Sequence, residues 1–418
     1  VINKQYSTRT VAKSVEAGDE TGMAMDVDDS HDLRIAEVGS GEDLSLLKRL
    51  AERMTAEHHR MLGFPVNLDF DYRPLSDFLR LHANNVGNPR SESDYRIDTK
   101  PFEVAVIDFF TELAGGDPGR VFGYVTSGGT ESNVFAGWVA RERYPDAVLY
   151  ASEEAHYSLP KIGRLLRMPY VAVPATSAGS MDTAALAREL ARHLGRAAVV
   201  TATIGTTGRG AVDDLPGVRR TLLDAGVERF RIHADAAFGG LLAEFGPDPV
   251  PWGLSEGADS VAVSGHKVIG SPIPCGVVLA RAADVEQIRI EGAAVGSDDD
   301  TITGSRDALT PLMLWYRLRG LGRAGLADLV RHCFETTEYA YRRLSEIGRN
   351  PQRSPGSTIV WFDAPPEPLC RCWHMMCDRT HAQLVVMPHV TADHVDRLCE
   401  DLLRVGAGQM HGDEKDES

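Results

Sequence analysis

Seven short runs rich in β-branched residues punctuate the chain after Phe102: "VFGYV", "AVLYAS", "YVAVPA", "AAVVTATIG", "RFRIHADAA", "SVAVSG" and "CGVVLAR". Most are separated by stretches with helical spacing. Apolar strands that alternate with helices are buried on both faces, which predicts an α/β fold on a central, mostly parallel sheet. Ligands of such sheets collect at the carboxyl ends of the strands. The unusual residues of this chain fall just there. The pattern divides the 418 residues into a polar leader (1–30), a helical and turn-rich segment (31–101), a large α/β domain (102–310), a smaller α+β lobe (311–405) and a polar tail (406–418).

The net charge of −16 lacks the basic footprint that nucleic acids or anionic membrane surfaces require, so small-molecule chemistry is the expectation. No run of about 18 apolar residues is present and the first thirty residues lack a signal-peptide core, so a cytoplasmic protein is expected. Four of the six cysteines fall between Cys333 and Cys377 and form no disulfide framework. Cys370, Cys372, His374 and Cys377 match no familiar zinc spacing and read equally as one helical segment, so no metal site is expected.

Four features at strand ends need a joint explanation. In "GYVTSGGTESN" a strand meets a Gly-Gly turn and a helix start, where free backbone N–H groups beside Ser127, Gly128, Gly129 and Thr130 suit a phosphate dianion. Neither the ATP nor the dinucleotide fingerprint is present, so the phosphate belongs to another molecule. His156 follows "AVLYAS" and can stack on a planar ring, or serve as an ordinary loop histidine. Asp235 ends a doubly buried strand, where a carboxylate needs a salt-bridge partner or a pyridinium N–H, and Ala237 beside it leaves room for a flat ring. Lys267, after Ser264 and His266, is either a snorkelling surface residue or a partly desolvated amine able to attack an aldehyde. Phosphate cradle, ring-stacking histidine, aspartate and lysine, in this order, are the parts that pyridoxal 5'-phosphate requires.

The motifs "TSGGTESN", "HYS", "GTTGRGAVDD", "HADAAFGG", "SGHKVIGSPIPCG" and "TITGSRDALTPLMLW" resemble those of the pyridoxal-phosphate-dependent group II amino acid decarboxylases. They are most similar to the histidine decarboxylase and serine decarboxylase branch, from about Gly63 to Val405. The resemblance implies a type I, aspartate-aminotransferase-like fold and a homodimer with sites at the interface, on which the 31–101 segment packs. It makes Lys267 the Schiff-base lysine, Asp235 the partner of the ring nitrogen and His156 a ring-stacking, substrate-contacting catalytic residue. It places Ser127, Gly128, Gly129, Thr130, Ser264 and His266 around the phosphate, with Ser305 reaching it from the other subunit. Thr203 and Ala237 support the ring, and Asn85 contacts substrate.

The implied activity is decarboxylation of an L-amino acid, histidine-like, serine-like or non-standard, to its amine. One departure bears on it: the loop "IEGAAVGSDDDT", residues 290–301, carries Ala294 where that branch has a tyrosine that helps protonate the carbanion. Either another donor such as His156 or His82 serves, which is the expectation, or oxygen or water diverts the intermediate to an aldehyde. An aminotransferase and a non-catalytic binding protein on the same fold are the remaining readings. The acidic stretch Asp298 to Asp300 either faces a cationic substrate or is solvated.

Overall fold

The computed structural model describes residues 44–293 and 296–410. The expected leader, most of the tail and Ala294 lie outside the described residues. The chain separates into two units, Val1–His59 and Arg60–Ser418. Within the first, helix α1 (Leu44–His58) has no buried residue.

The second unit begins with an extended, turn-rich stretch and helix α2 (Lys100–Leu113), and then alternates strand and helix. In order come β1 (Val121–Thr126), α3 (Gly129–Arg143), β2 (Val148–Ser152), α4 (Ser158–Leu165), β3 (Tyr170–Val173), α5 (Thr183–Ala191) and β4 (Ala198–Thr203). They are followed by α6 (Leu215–Asp224), β5 (Phe230–Asp235), α7 (Gly240–Phe245), β6 (Ser260–Ser264), β7 (Gly276–Arg281) and α8 (Ala282–Val285). All seven expected runs are strands of one sheet, ordered β1-β7-β6-β5-β4-β2-β3. Strand β7 is antiparallel to both its neighbours, β1 and β6. The remaining pairs are parallel.

The near-continuous apolar runs are explained by burial on both faces. Along β4, Ala198, Val200 and Ala202 feed one core while Val199 feeds another. Along β7, Val277 and Leu279 face the first core and Val278 and Ala280 a third cluster. Each fully buried valine or leucine contributes about 1.5–3 kcal/mol, so the sheet is the rigid platform of the unit.

Beyond β8 (Ile290–Ala293) and β9 (Ser297–Asp299) lies helix α9 (Leu309–Glu346), kinked where Gly322 takes φ 61°. Strand β10 (Ile359–Asp363), helix α10 (Glu367–Cys372), strand β11 (His381–Val385) and helix α11 (Ala392–Met410) complete the chain, with β10 and β11 paired antiparallel. The C-terminal elements do not form a separate body. Val360, Phe362 and Leu384 belong to the same buried cluster as Val200 and Val261, because α9 carries one core into the other. Cys370 and Cys377 are joined by a disulfide (S–S 2.15 Å), so one bond exists where no pairing was expected, and two of the four residues weighed for zinc are not free thiols.

The end of β1, which leads into α3, is anchored by a buried cluster. Glu103 of α2, with no exposed surface, accepts from Val125 N (2.9 Å) and Asn85 Nδ2 (2.8 Å) and pairs with the Arg306 guanidinium. Arg306 also donates to Gly87 O (2.9 Å), so four chain segments meet at this ion pair. Within the acidic stretch Asp300 is fully buried, bonded to Arg289 Nε (2.9 Å) and Asn88 Nδ2 (2.5 Å), whereas Asp298 and Asp299 are half-buried. Removing one member of a buried pair strands the other charge. Glu103→Ala is therefore expected to lower unfolding stability by about 3–5 kcal/mol, read from denaturant midpoints.

Candidate active site

The carboxyl ends of β1, β2, β4, β5 and β6 open into one cavity of about 270 Å³. It is lined by Ser127, Gly128, Gly129 and Thr130 after β1, His156 after β2, and Thr203 at the end of β4. Asp235 and Ala237 enter from β5, and Ser264, His266 and Lys267 from β6. Eleven residues picked out from strand ends up to 140 positions apart thus converge.

Two expected members lie elsewhere. The Ser305 hydroxyl accepts from Asn84 Nδ2 (3.1 Å) and is not among the lining residues. Asn85 is fully buried, with its amide bonded to Glu103 and its carbonyl accepting from Thr99 N (2.8 Å), so within the chain it is a structural residue rather than a substrate contact. His82, weighed as a proton donor, packs edge-on against Tyr95 away from the lining, whereas His156 is part of it.

Helix α3 begins at the cavity. Helices α5 and α6 are capped by Asp182 and Asp214, whose side chains accept from their first-turn N–H groups. Gly128, at the same position of α3, provides no cap, so N–H groups of the first turn keep no intrahelical partner. Gly128 has φ 152°, which a side chain disfavours, and the space a Cβ would enter holds no atom within 4 Å. Glu131 was not singled out from the sequence. Its carboxylate accepts from Ser127 N (2.8 Å), Ser127 Oγ (2.6 Å) and Tyr124 OH (3.0 Å), fixing the turn.

The buried hydroxyls Thr203 Oγ1 and Ser264 Oγ have no hydrogen-bond partner among the described residues. Unsatisfied buried hydroxyls are rare and costly, and two on one cavity fit a polar ligand. Thr203 is placed by Asp213, which accepts from Thr203 N (2.7 Å) and Met181 N (2.6 Å) and is pushed up to about 6 by burial. His266 is tied through Nδ1 to the Cys275 backbone, and burial lowers its pKa.

Lys267 is the cavity's free amine. Burial lowers its pKa, partly offset by the negative charge of Asp235, so it loses its proton more readily than an exposed lysine. His156 is held by Ser158, whose backbone N–H donates to Nδ1 (3.2 Å) and whose hydroxyl lies 2.8 Å from the same atom. Nδ1 is an acceptor, so the neutral ring carries its proton on Nε2. Burial lowers the His156 pKa, outweighing the attraction of Asp235, so the ring is neutral at neutral pH. Asp235 accepts from Asn133 Nδ2 (2.7 Å) and Ala237 N (3.2 Å). Asn133 and Tyr157 were also missed. Asn133 sits one turn beyond Gly129 on the same face of α3, which is the signal that could have found it.

The pyridoxal-dependent decarboxylase conserved domain matches residues 123–351. The chain belongs to the pyridoxal-dependent decarboxylase family. It is 37% identical to a histidine decarboxylase of Vibrio campbellii over 367 residues, covering 87% of this chain and 95% of that protein. It is 36% identical to serine decarboxylase 3 of Oryza sativa subsp. japonica, covering 82% of this chain and 78% of that protein. The L-methionine decarboxylase of Streptomyces sp.590 superposes with a TM-score of 0.82 at 25% identity, covering 90% of this chain and 98% of that one. The decarboxylase uses pyridoxal phosphate, and its cavity fits that group: an uncapped helix start for the phosphate, two orphaned hydroxyls, a carboxylate and a free amine.

Because an L-residue cannot readily follow the Gly128 backbone, Gly128→Ala is expected to weaken cofactor retention by about tenfold or more. The dissociation constant of pyridoxal phosphate from reconstituted apoenzyme measures it.

Proposed function

We propose that this decarboxylase, as a cytoplasmic homodimer, converts a neutral polar L-amino acid, histidine-like or serine-like, to its amine. Lys267, Asp235 and His156 are its catalytic residues. When bound, pyridoxal phosphate supplies the aldehyde that condenses with an amine and the ring that accepts the electron pair released with carbon dioxide. Lys267 holds the cofactor between turnovers, and its lowered pKa supplies the unprotonated amine this requires. The first turn of α3, with Ser127, Gly128, Gly129 and Thr130, holds the phosphate together with Ser264 and His266. Asp235 keeps the ring nitrogen protonated by a charge-assisted bond, and Thr203 and Ala237 bound the ring.

The observation that carries the amine as product is the orientation of His156. Its Nδ1 is spent on Ser158 while Nε2–H has no hydrogen-bond partner among the described residues, leaving a proton at a defined atom of the cavity for the substrate's α-carbon. A positioned donor supports protonation without oxygen, whatever residue stands at 294. Of the lining not assigned to the cofactor, His156, Tyr157, Thr207 and Phe238 are uncharged, and the carboxylate of Glu131 is taken up by Ser127 and Tyr124, which supports a neutral polar side chain. Relatives with printed histidine and serine specificity point the same way.

A homodimer is supported by two observations. Tyr157 at the cavity is 78% exposed in the single chain, and Ser305 lies off its own cavity, where a second subunit would bring it to the phosphate. No described helix is long and apolar enough to cross a membrane.

With histidine, serine and other L-amino acids as substrates, carbon dioxide and amine are expected in equal amounts, with no oxygen uptake and no peroxide. Aldehyde with oxygen consumption would overturn the reading. His156→Phe keeps a flat ring but removes the proton and is expected to lower kcat by about 10²–10⁴-fold. Sedimentation should give about twice the 45.5 kDa of one chain.

A further inference from the structure

Behind Asp235 runs a hydrogen-bonded chain that leaves the cavity altogether. Asn133 Nδ2 donates to Asp235 Oδ2 (2.7 Å), and Asn133 Oδ1 lies 2.9 Å from His233 Nε2. His233 Nδ1 lies 2.9 Å from Ser260 Oγ. Asn133, His233 and Ser260 are all buried, at 4%, 4% and 8% exposure. His233 and Ser260 do not line the cavity, so neither touches a ligand there.

The donor and acceptor roles along this chain are fixed by elimination. An ionised carboxylate only accepts, so the Asn133 amide must turn its NH₂ towards Asp235 and its carbonyl towards His233. His233 Nε2 must then carry a proton. Burial pushes the His233 pKa down to about 4, so the ring is neutral near neutral pH and its Nδ1 must accept from the Ser260 hydroxyl. The imidazole donor engages the amide's carbonyl end, so Asn133 is held at both ends and its NH₂ is aimed at the carboxylate in one fixed position.

We propose that Asn133, His233 and Ser260 are a positioning relay that holds Asp235 in one orientation, ready for the cofactor's ring nitrogen. The inference rests on Asp235 as the partner of that nitrogen and adds what maintains it. A carboxylate 5% exposed on a doubly covered strand has few sources of stabilisation. Its flanking strand partners, Thr203 on β4 and Ala262 on β6, are uncharged. The titrating groups that share its field are Lys267, His156 and His233. The relay supplies a directed donor to Asp235. The electron-accepting capacity of the ring depends on where the shared proton resides, so the relay acts on the reaction through Asp235 without contacting it.

The test compares His233→Leu, His233→Gln and Asp235→Asn in the holoenzyme. His233→Leu is expected to lower kcat by about ten- to a hundredfold with KM little changed, as for misplacement of a catalytic group. It should also shift the pH titration of the bound cofactor's visible absorption band and weaken cofactor retention. His233→Gln keeps a donor amide and should restore most of all three. If Asp235→Asn abolishes turnover while His233→Leu matches the unsubstituted enzyme in kcat, spectrum and retention, the relay is wrong and the reading of Asp235 stands. If Asp235→Asn leaves turnover and spectrum unchanged, the reading of Asp235 itself fails. Should His233→Leu not fold, ¹⁵N resonances of the His233 ring in the unsubstituted holoenzyme decide the matter. The relay requires a neutral ring protonated at Nε2 down to about pH 4. An Nδ1-protonated ring, or an imidazolium at neutral pH, would overturn it.

Discussion

A carboxylate at the end of a strand covered on both faces is the constraint on which this structure depends. Asp235 is nearly inaccessible, and its charge is tolerable only where donors converge on it. Asn133 from α3 and the Ala237 amide provide two, and Lys267 brings its amine into the same cavity. On the proposed reading, the ring nitrogen of the bound cofactor is a third donor.

The sheet makes that arrangement reproducible. Strands β4, β5 and β6 are locked in parallel register, Thr203 opposite Asp235 and Asp235 opposite Ala262, so the hydroxyl, carboxylate and lysine-bearing edges are set by backbone pairing. The phosphate end is set separately. Glu103 and Arg306 pin the end of β1 from below, and Glu131 ties Ser127 into the turn before α3. Glu103 and Arg306 lie outside the cavity lining, whereas Glu131 and Ser127 are part of it. His156 comes from a third direction, and its proton is directed by a contact to the residue two positions on.

Much of this was legible in the sequence. The seven strands were, because a doubly buried strand must be almost wholly apolar, and their ends could be read as soon as polar residues interrupted those runs. Lys267, Asp235 and His156 each read alone as ordinary residues, and they stood out only in combination with the Gly-Gly turn before α3. The antiparallel sense of β7 was not legible, since a buried run such as "GVVLA" has the same composition in either direction. Asn133 was hidden for another reason. A polar residue early in a helix reads as ordinary, and only the packing of α3 on β5 brings it to a carboxylate 102 positions away. Asn85 shows the converse: a resemblance marked it for substrate, whereas the chain uses it to satisfy Glu103. The Cys370–Cys377 bond depends on a chain reversal after α10 that helical periodicity cannot reveal.

The central claim is that Lys267 is the residue to which the cofactor is covalently attached. Borohydride reduction of the holoenzyme, followed by proteolysis and mass spectrometry of the peptides, tests it most directly. The account predicts a single pyridoxyl group, on the peptide that contains Lys267. A pyridoxyl group on the exposed Lys161 or on any other lysine, or a reduced protein that carries none, would contradict it.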